Sequence, residues 1–321
     1  MTITRLTDHR FLEANQAFEE LSGFRVDELT SLTRDQLGIA IESLEQLRQL
    51  ELLGDTPGKW EQEANLHTRS GRIRHVLLAT EVITLDDQPC ALTTALDITE
   101  RKQAEALTNG QQQVLEMIAL SAPLPEILDT LCRMIEAQSG EMLCSVLLLD
   151  EAGVRLRHAA APSLPPAYAD AIDGTAIGES AGSCGTAAFR REGVFVADVA
   201  TDPLWTAHRQ LALAHGLQAC WSTPVFDEQH HILGTFAVYL RQPGLPDETQ
   251  LRLIGIATHT AAIAVSRHRT SQAMQKANRS LRMLIDCNET LVRASNEKNC
   301  STTSAASWSS RTATRWPGWD I

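Results

Sequence analysis

Seven cysteines, Cys90, Cys132, Cys144, Cys184, Cys220, Cys287 and Cys300, carry most of the reactive chemistry in this sequence. A thiol can ligate a metal, close a disulfide or attack as a thiolate, and spacing separates these uses. There is no Cys-x-x-Cys pair and no matching histidine spacing. A zinc site therefore has no basis, and reduced, mostly buried thiols are expected. His67 and His75 are the residues to weigh as haem ligands on the amino-terminal strands, but Arg69, Arg72 and Arg74 around them point to a water-facing side. The sequence assigns no cofactor and no metal. It has no Gly-x-Ser-x-Gly elbow, phosphate loop, His-Glu-x-x-His or kinase signature. No enzyme activity is expected. A net charge of -12 without a basic stripe argues against nucleic acid as a partner. The apolar stretches Ser145 to Leu149 and Ile254 to Val265 are too short or too interrupted to span a bilayer, and Met1 to Arg10 does not resemble a signal peptide. The expected state is soluble and cytoplasmic, with no membrane partner.

The elements that would position such groups follow from periodicity. Arg10 to Ala14 reads as a strand, Asn15 to Leu21 and Val26 to Leu29 as short helices, and Leu44, Leu47, Leu50 and Leu53 mark one side of a polar helix. The pattern then turns strand-like. Trp60 to Thr68, Arg72 to Thr84 and Cys90 to Ile98 form a meander joined by turns at Ser70-Gly71 and Asp86-Asp87. A connecting helix from Glu100 to Met117 is interrupted at Asn109-Gly110. Beyond it come a helix at Pro125 to Gln138, strands at Leu143 to Leu149 and Val154 to Ala160, and a Pro- and Gly-rich excursion. A strand at Val194 to Val199, a helix near Leu211 to Gly216, strands at Ala219 to Phe226 and Ile232 to Leu240, and a helix from Asp247 to about His268 follow. The fold class is α+β, two domains each with an antiparallel sheet flanked by helices.

Phe11-Leu12-Glu13-Ala14-Asn15, Ala17-Phe18 and Leu21-Ser22-Gly23-Phe24 resemble the opening of PAS domains, and Asp97-Ile98-Thr99-Glu100-Arg101-Lys102 resembles their exit. Thr99 suits an N-cap, with Glu100 in the first turn. The resemblance implies that Asp97 and Thr99 relay a signal, Asp97 tying the last strand to the outgoing helix by a hydrogen bond or ion pair. A PAS domain opens on a strand ahead of Asp8. With seven residues before that position, an edge strand that is very short or clipped is expected.

The region from Pro125 to Arg269 resembles a GAF domain through Gly182-Ser183-Cys184-Gly185-Thr186-Ala187-Ala188 before a short helix, Val196-Ala197-Asp198-Val199, Asp202-Pro203-Leu204-Trp205, His215-Gly216-Leu217, Ala219-Cys220-Trp221-Ser222-Thr223-Pro224 and Leu233-Gly234-Thr235-Phe236. In that family the ligand cavity lies between the sheet and its covering loops. The resemblance therefore makes Cys184, Thr186, Asp198, Trp205, His208, His215 and Trp221 the candidate pocket residues. Bilin attachment is not expected, because Cys220 is followed by Trp221 rather than His, and the cyclic-nucleotide pattern Asn-Lys-x-x-x-Phe is absent. Ser183-Cys184-Gly185 also resembles the first cysteine turn of free methionine sulfoxide reductases. Such a reaction needs a resolving thiol within disulfide reach, and Asp202 to Leu213, where it is expected, contains none.

The organisation implied is a PAS domain over 1–99, a helical linker over 100–124, a GAF domain over 125–269, a helix over 270–298 and a tail over 299–321. Ser271 to Ala294 is amphipathic through Met274, Leu281, Leu284, Ile285, Leu291 and Val292. The Ser-, Thr- and Trp-rich residues from Cys300 lack periodicity. Shifting the codons from Asn299 onward permits a helix and strand like the start of another GAF domain, so a frameshifted, disordered tail is expected. Both resemblances imply a non-catalytic sensory module of bacterial signal transduction that takes a small molecule and forms a homodimer through its helices. An intact parent would carry a histidine kinase or a cyclic-di-GMP enzyme. The alternatives are a thiol-dependent reductase centred on Cys184 and a structural dimerisation adaptor.

Overall fold

The computed structural model describes residues 1–33, 37, 39–41 and 59–302, with side chains to 286 except at 39–41. The expected leucine-sided helix at 44–53 and the tail beyond 302 lie outside the described residues. The chain divides into two compact units, Met1–Glu116 with Arg133–Met142, and Met117–Cys132 with Leu143–Ile321.

The first unit contains β1 (Thr2–Arg5), β2 (Phe11–Ala14), α1 (Gln16–Ser22), α2 (Val26–Leu29), β3 (Ile39–Ile41), β4 (Lys59–His67), β5 (Ile73–Leu85) and β6 (Gln88–Asp97). Their sheet runs β2-β1-β6-β5-β4-β3. Asn15 starts α1 by accepting a hydrogen bond from Phe18 N. Period-two alternation sends Ala64, Leu66, Val76 and Leu78 to one face, where they bury Phe11, Phe18, Leu21 and Leu29. At the β5–β6 hairpin, Asp86 and Asp87 both take positive φ, 49° and 60°, the conformation a two-residue hairpin loop requires.

The opening strand is short, four residues, but it is not an edge. Thr2 to Arg5 pair with β6 on one side and β2 on the other, and Thr2 and Thr4 are buried. Edge position falls to β2 and β3 instead.

Helix α3 (Thr99–Ala119) is continuous through Asn109-Gly110, which was expected to interrupt it. A glycine inside a helix costs about 1 kcal/mol relative to alanine, and packing gives the reason for it here. A Cβ at Gly110 would lie 2.5 Å from Met134 Cγ, so the missing side chain is the space that α4 (Leu124–Glu136) fills.

The second unit contains β7 (Met142–Leu149), β8 (Arg155–Ala160), α5 (Pro166–Ile172), β9 (Thr175–Ala176), α6 (Gly182–Arg190), β10 (Val194–Val196), α7 (Arg209–Ala214), β11 (Ala219–Phe226), β12 (Ile232–Leu240) and α8 (Glu248–Thr302). The sheet order is β10-β11-β12-β7-β8-β9. Strand β12 is central and buried on both faces from Leu233 to Tyr239. Gly234 lets it lie against β7: a Cβ there would sit 2.0 Å from Leu147 O. Leu253, Ile254, Ala257, Ala261, Ala264 and Val265 recur at helical spacing and form the buried stripe at the start of α8. Cys220, Ala237 and Tyr239 join Tyr168, Trp205 and Leu217 in a second buried cluster. The two helices expected over 247–268 and 271–294 are one. Arg269 and Thr270 hold neither glycine nor proline, and nothing between them stops propagation.

Candidate functional site

The site is built around the start of α6, where short polar links fix the backbone. Ser183 Oγ accepts from Trp205 Nε1 at 3.0 Å and donates to Cys220 O at 2.9 Å. One buried hydroxyl thus ties α6 to β11 and to the 3-10 turn Pro203–Trp205. That turn is capped by Asp202, which accepts from Leu204 N at 2.8 Å, and is held from below by Arg209, whose guanidinium donates to Val199 O and Asp202 O. With Ser183 pinned, the next side chain lies over the sheet, and Cys184 Sγ comes 3.7 Å from Tyr239 Oη. Tyr239 is the cross-strand partner of Cys220, so their side chains share one face of the sheet.

A narrow cavity of about 30 Å³ opens between α6 and the sheet, with Cys184, Trp205, His208, Tyr168, Ile172 and Tyr239 among its walls. The two tyrosine rings meet edge to face, 5.7 Å between centroids at 83°, which fixes their planes. Such a wall of apolar and aromatic surface with a few convergent polar groups is the usual form of a small-molecule pocket.

The two thiols of the site differ. A hydrogen bond from the Cys220 thiol, helped by Ser222, Tyr239 and Thr235, outweighs burial and brings Cys184 down from the usual thiol range to about 7. Burial, together with the neighbouring Cys184, pushes Cys220 well up. Burial likewise pushes Tyr168 and Tyr239 up, so both phenols stay protonated near neutral pH. The hydroxyls of Ser222 and Thr235 are buried without a hydrogen-bond partner, on the face of the sheet that carries Cys220 and Tyr239. Of the two thiols, Cys184 therefore ionises first, and Cys220 keeps its proton.

Of the residues expected in the pocket, the structure brings Cys184, Trp205 and His208 into its wall. The other four have different work. Thr186 Oγ1 accepts from Ala181 N at 3.1 Å and steadies the entry to α6. Asp198 accepts from Ala200 N and from the Thr201 hydroxyl in a turn. His215 packs against the Tyr168 ring at 5.8 Å. Trp221 is buried on the face opposite Cys220 and donates from Nε1 to Gly244 O at 2.9 Å, as alternation along β11 requires. Sequence reasoning missed Ser183, Tyr168, Tyr239 and Cys220. It looked for a second thiol in 202–213, whereas Cys220 on β11 supplies one. The signal available was the alternation of β11, which sends Cys220 and Ser222 to the same side.

In the first unit, Asp97 Oδ1 accepts from Thr99 N at 2.9 Å and from the Thr99 hydroxyl at 2.6 Å, while Oδ2 pairs with Arg74 at 2.6 Å. Thr99 Oγ1 accepts from His75 N, which joins β5, β6 and the start of α3. Glu63 on β4 pairs with Arg101 and Lys102 in the first turn of that helix.

Among the described residues no three His, Cys, Asp or Glu side chains are grouped to hold a metal ion, and no helix is long and apolar enough to cross a membrane.

A sequence model of the GAF domain family matches residues 121–266. Over 227 residues the chain is 34% identical to the methyl sulfide methyltransferase-associated sensor of Methanosarcina acetivorans, covering 70% of this chain and 23% of that protein. Over 152 residues it is 26% identical to the sensor histidine kinase TmoS of Ectopseudomonas mendocina, covering 46% of this chain and 15% of that protein. The chain thus spans less than a quarter of the length of these relatives. Among solved structures, the GAF domain of an Acinetobacter phosphoenolpyruvate-protein phosphotransferase aligns at 18% identity and a TM-score of 0.40, over 52% of this chain and 97% of that one. Free methionine-R-sulfoxide reductase of Neisseria meningitidis aligns at 18% and 0.42, over 53% and 91%. Residues 121–266 are a GAF domain, and the chain is homologous to sensor proteins.

Proposed function

We propose that the chain is the sensory part of a signal-transduction protein, in which the GAF cavity takes a small molecule and helices carry the result to an output elsewhere. The observation that carries this reading is the cavity beneath α6, with its aromatic walls and the polar groups of Cys184 and His208, inside a domain shared with sensor proteins. The first unit acts as a PAS-like module. Support comes from its sheet order and from the Asp97 to Thr99 junction, which couples β5 and β6 to α3 through hydrogen bonds. Two copies pair through helices. The exposed apolar side chains Met274, Leu281, Leu284 and Ile285 on α8 support that pairing.

Native mass spectrometry of chain purified without denaturation tests the pocket. The expected spectrum contains a bound small molecule that His208→Ala loses, with the fold kept by circular dichroism. No bound species, together with no thermal shift against a metabolite panel, overturns the reading. A thiol-dependent reductase centred on Cys184 is the second reading, favoured by the Cys220 thiol beside it. Sulfoxide turnover with a dithiol reductant, lost in Cys184→Ser, is its expected signature, and no turnover excludes it.

A further inference from the structure

The geometry points to a reversible dithiol site inside the GAF cavity, in which a hydroperoxide oxidises Cys184 and Cys220 to an intramolecular disulfide. Four observations place the two sulfurs together. Ser183 Oγ is bonded to Cys220 O at 2.9 Å, which fixes the residue before Cys184 directly over Cys220. Cys184 Sγ lies 3.7 Å from Tyr239 Oη, and Tyr239 stands opposite Cys220 in the sheet register. Both sulfurs belong to one packed cluster, Cys220 fully buried and Cys184 at its margin. Cys184 alone of the two lines the cavity, so an oxidant entering there meets Cys184 first and finds Cys220 behind it.

The surroundings assign the roles. The phenol of Tyr239 stands 3.7 Å from the Cys184 sulfur, and the buried hydroxyls of Ser222 and Thr235, which have no hydrogen-bond partner, lie on the same face of the sheet as Cys220 and Tyr239. A donor beside the sulfur stabilises its anion, and the thiolate is the attacking species. Cys184 as thiolate attacks the outer oxygen of the hydroperoxide. The O–O bond breaks, the leaving alkoxide or hydroxide takes a proton and departs as alcohol or water, and Cys184 becomes a sulfenic acid. Cys220 then attacks that sulfur, the S–O bond breaks, and the hydroxyl leaves as water with the Cys220 proton. Two thiols lose two electrons to one hydroperoxide, which becomes an alcohol and a water. A dithiol reductant reverses the bond by attack on the cavity-facing Cys184 sulfur. The bond draws α6 onto β11 and alters the wall that a ligand would touch.

The chemistry goes beyond the sensory reading and rests on it only for the output. The test is treatment of the purified chain with hydrogen peroxide, followed by intact mass and peptide mapping. The expected result is loss of two hydrogens, a cross-link between the peptides holding Cys184 and Cys220, and recovery with dithiothreitol. Cys220→Ser is expected to stop at a dimedone-reactive Cys184, and Cys184→Ser to form no such link. A disulfide confined to other cysteines, or Cys184 over-oxidised in the unmutated chain without a link to Cys220, overturns the proposal. Absence of a small ligand would sink the pocket reading and leave this result standing, so the two failures are distinguishable.

Discussion

A thiol gains acidity at a helix N-terminus or from hydrogen-bond donors, and Cys184 has both, sitting in the first turn of α6 with Cys220, Ser222 and Thr235 around its sulfur. Alkylation by iodoacetamide, followed by mass mapping of the Cys184 peptide, is expected to rise with pH around a midpoint near 7. Cys220→Ser is expected to move that midpoint, because the first of the donors changes. Tyr168, Tyr239, Cys220, His208 and His215 are the other titratable groups at this face, and a midpoint unmoved in His208→Ala and His215→Ala assigns the profile to the thiol. The fold holds this thiol below its unfolded value of 9.0. Its stabilising contribution is therefore complete above the ordinary thiol range and falls away as pH drops through about 7. The motif around Cys184 was legible from its neighbours in the chain, as were Trp205 and His208. Cys220 and Tyr239 were not, because their approach to Cys184 depends on the β11–β12 register and on a hydroxyl bridge, neither of which local spacing encodes.

Among the elements, the strands were the most legible. Ala219 to Phe226 and Ile232 to Leu240 match their expected bounds, since buried strands leave continuous apolar runs. Elements set by packing rather than periodicity, such as β9 and α5, left no comparable trace. Gly234 is the tightest joint among them. Alanine there meets backbone rather than a flexible side chain, so Gly234→Ala is expected to destabilise the fold by about 1–3 kcal/mol, read from urea melts. An unchanged midpoint would mean that β7 and β12 have slack. At the β6–α3 junction, burial raises the Asp97 carboxyl, but the bonds from Thr99 and Arg74 together hold it below the ordinary carboxylate range. Stability from Asp97 is thus complete above that range and lost as pH falls through the depressed value. Asp97→Ala is expected to cost about 1 kcal/mol, as loss of a helix cap does, with the difference from the unmutated chain shrinking in acid. A difference that stays constant down to low pH would refute the charged cap.

At the scale of the whole molecule, the exposed length of α8 is the feature to test. Met274 and Leu281 stand seven positions apart on exposed α8, with Leu284 and Ile285 on the following turn, a spacing suited to a two-stranded seam. Sedimentation equilibrium is expected to find a dimer that Leu281→Glu with Leu284→Glu converts to monomer. A monomer at high concentration in the unmutated chain would remove the seam from consideration. The fusion of two expected helices into one was the largest departure at this scale, and it arose because the apolar stripe changes from buried to exposed without any residue that ends a helix.

That continuity has a mechanical consequence. At about 1.5 Å per residue, the 55 residues of α8 make a rod of roughly 80 Å, and its first turns bear on the sheet that carries Cys220 and Tyr239. On a straight rod of that length, a change of a few degrees in the angle at which its first turns rest on β11 and β12 would swing the far end through several ångströms.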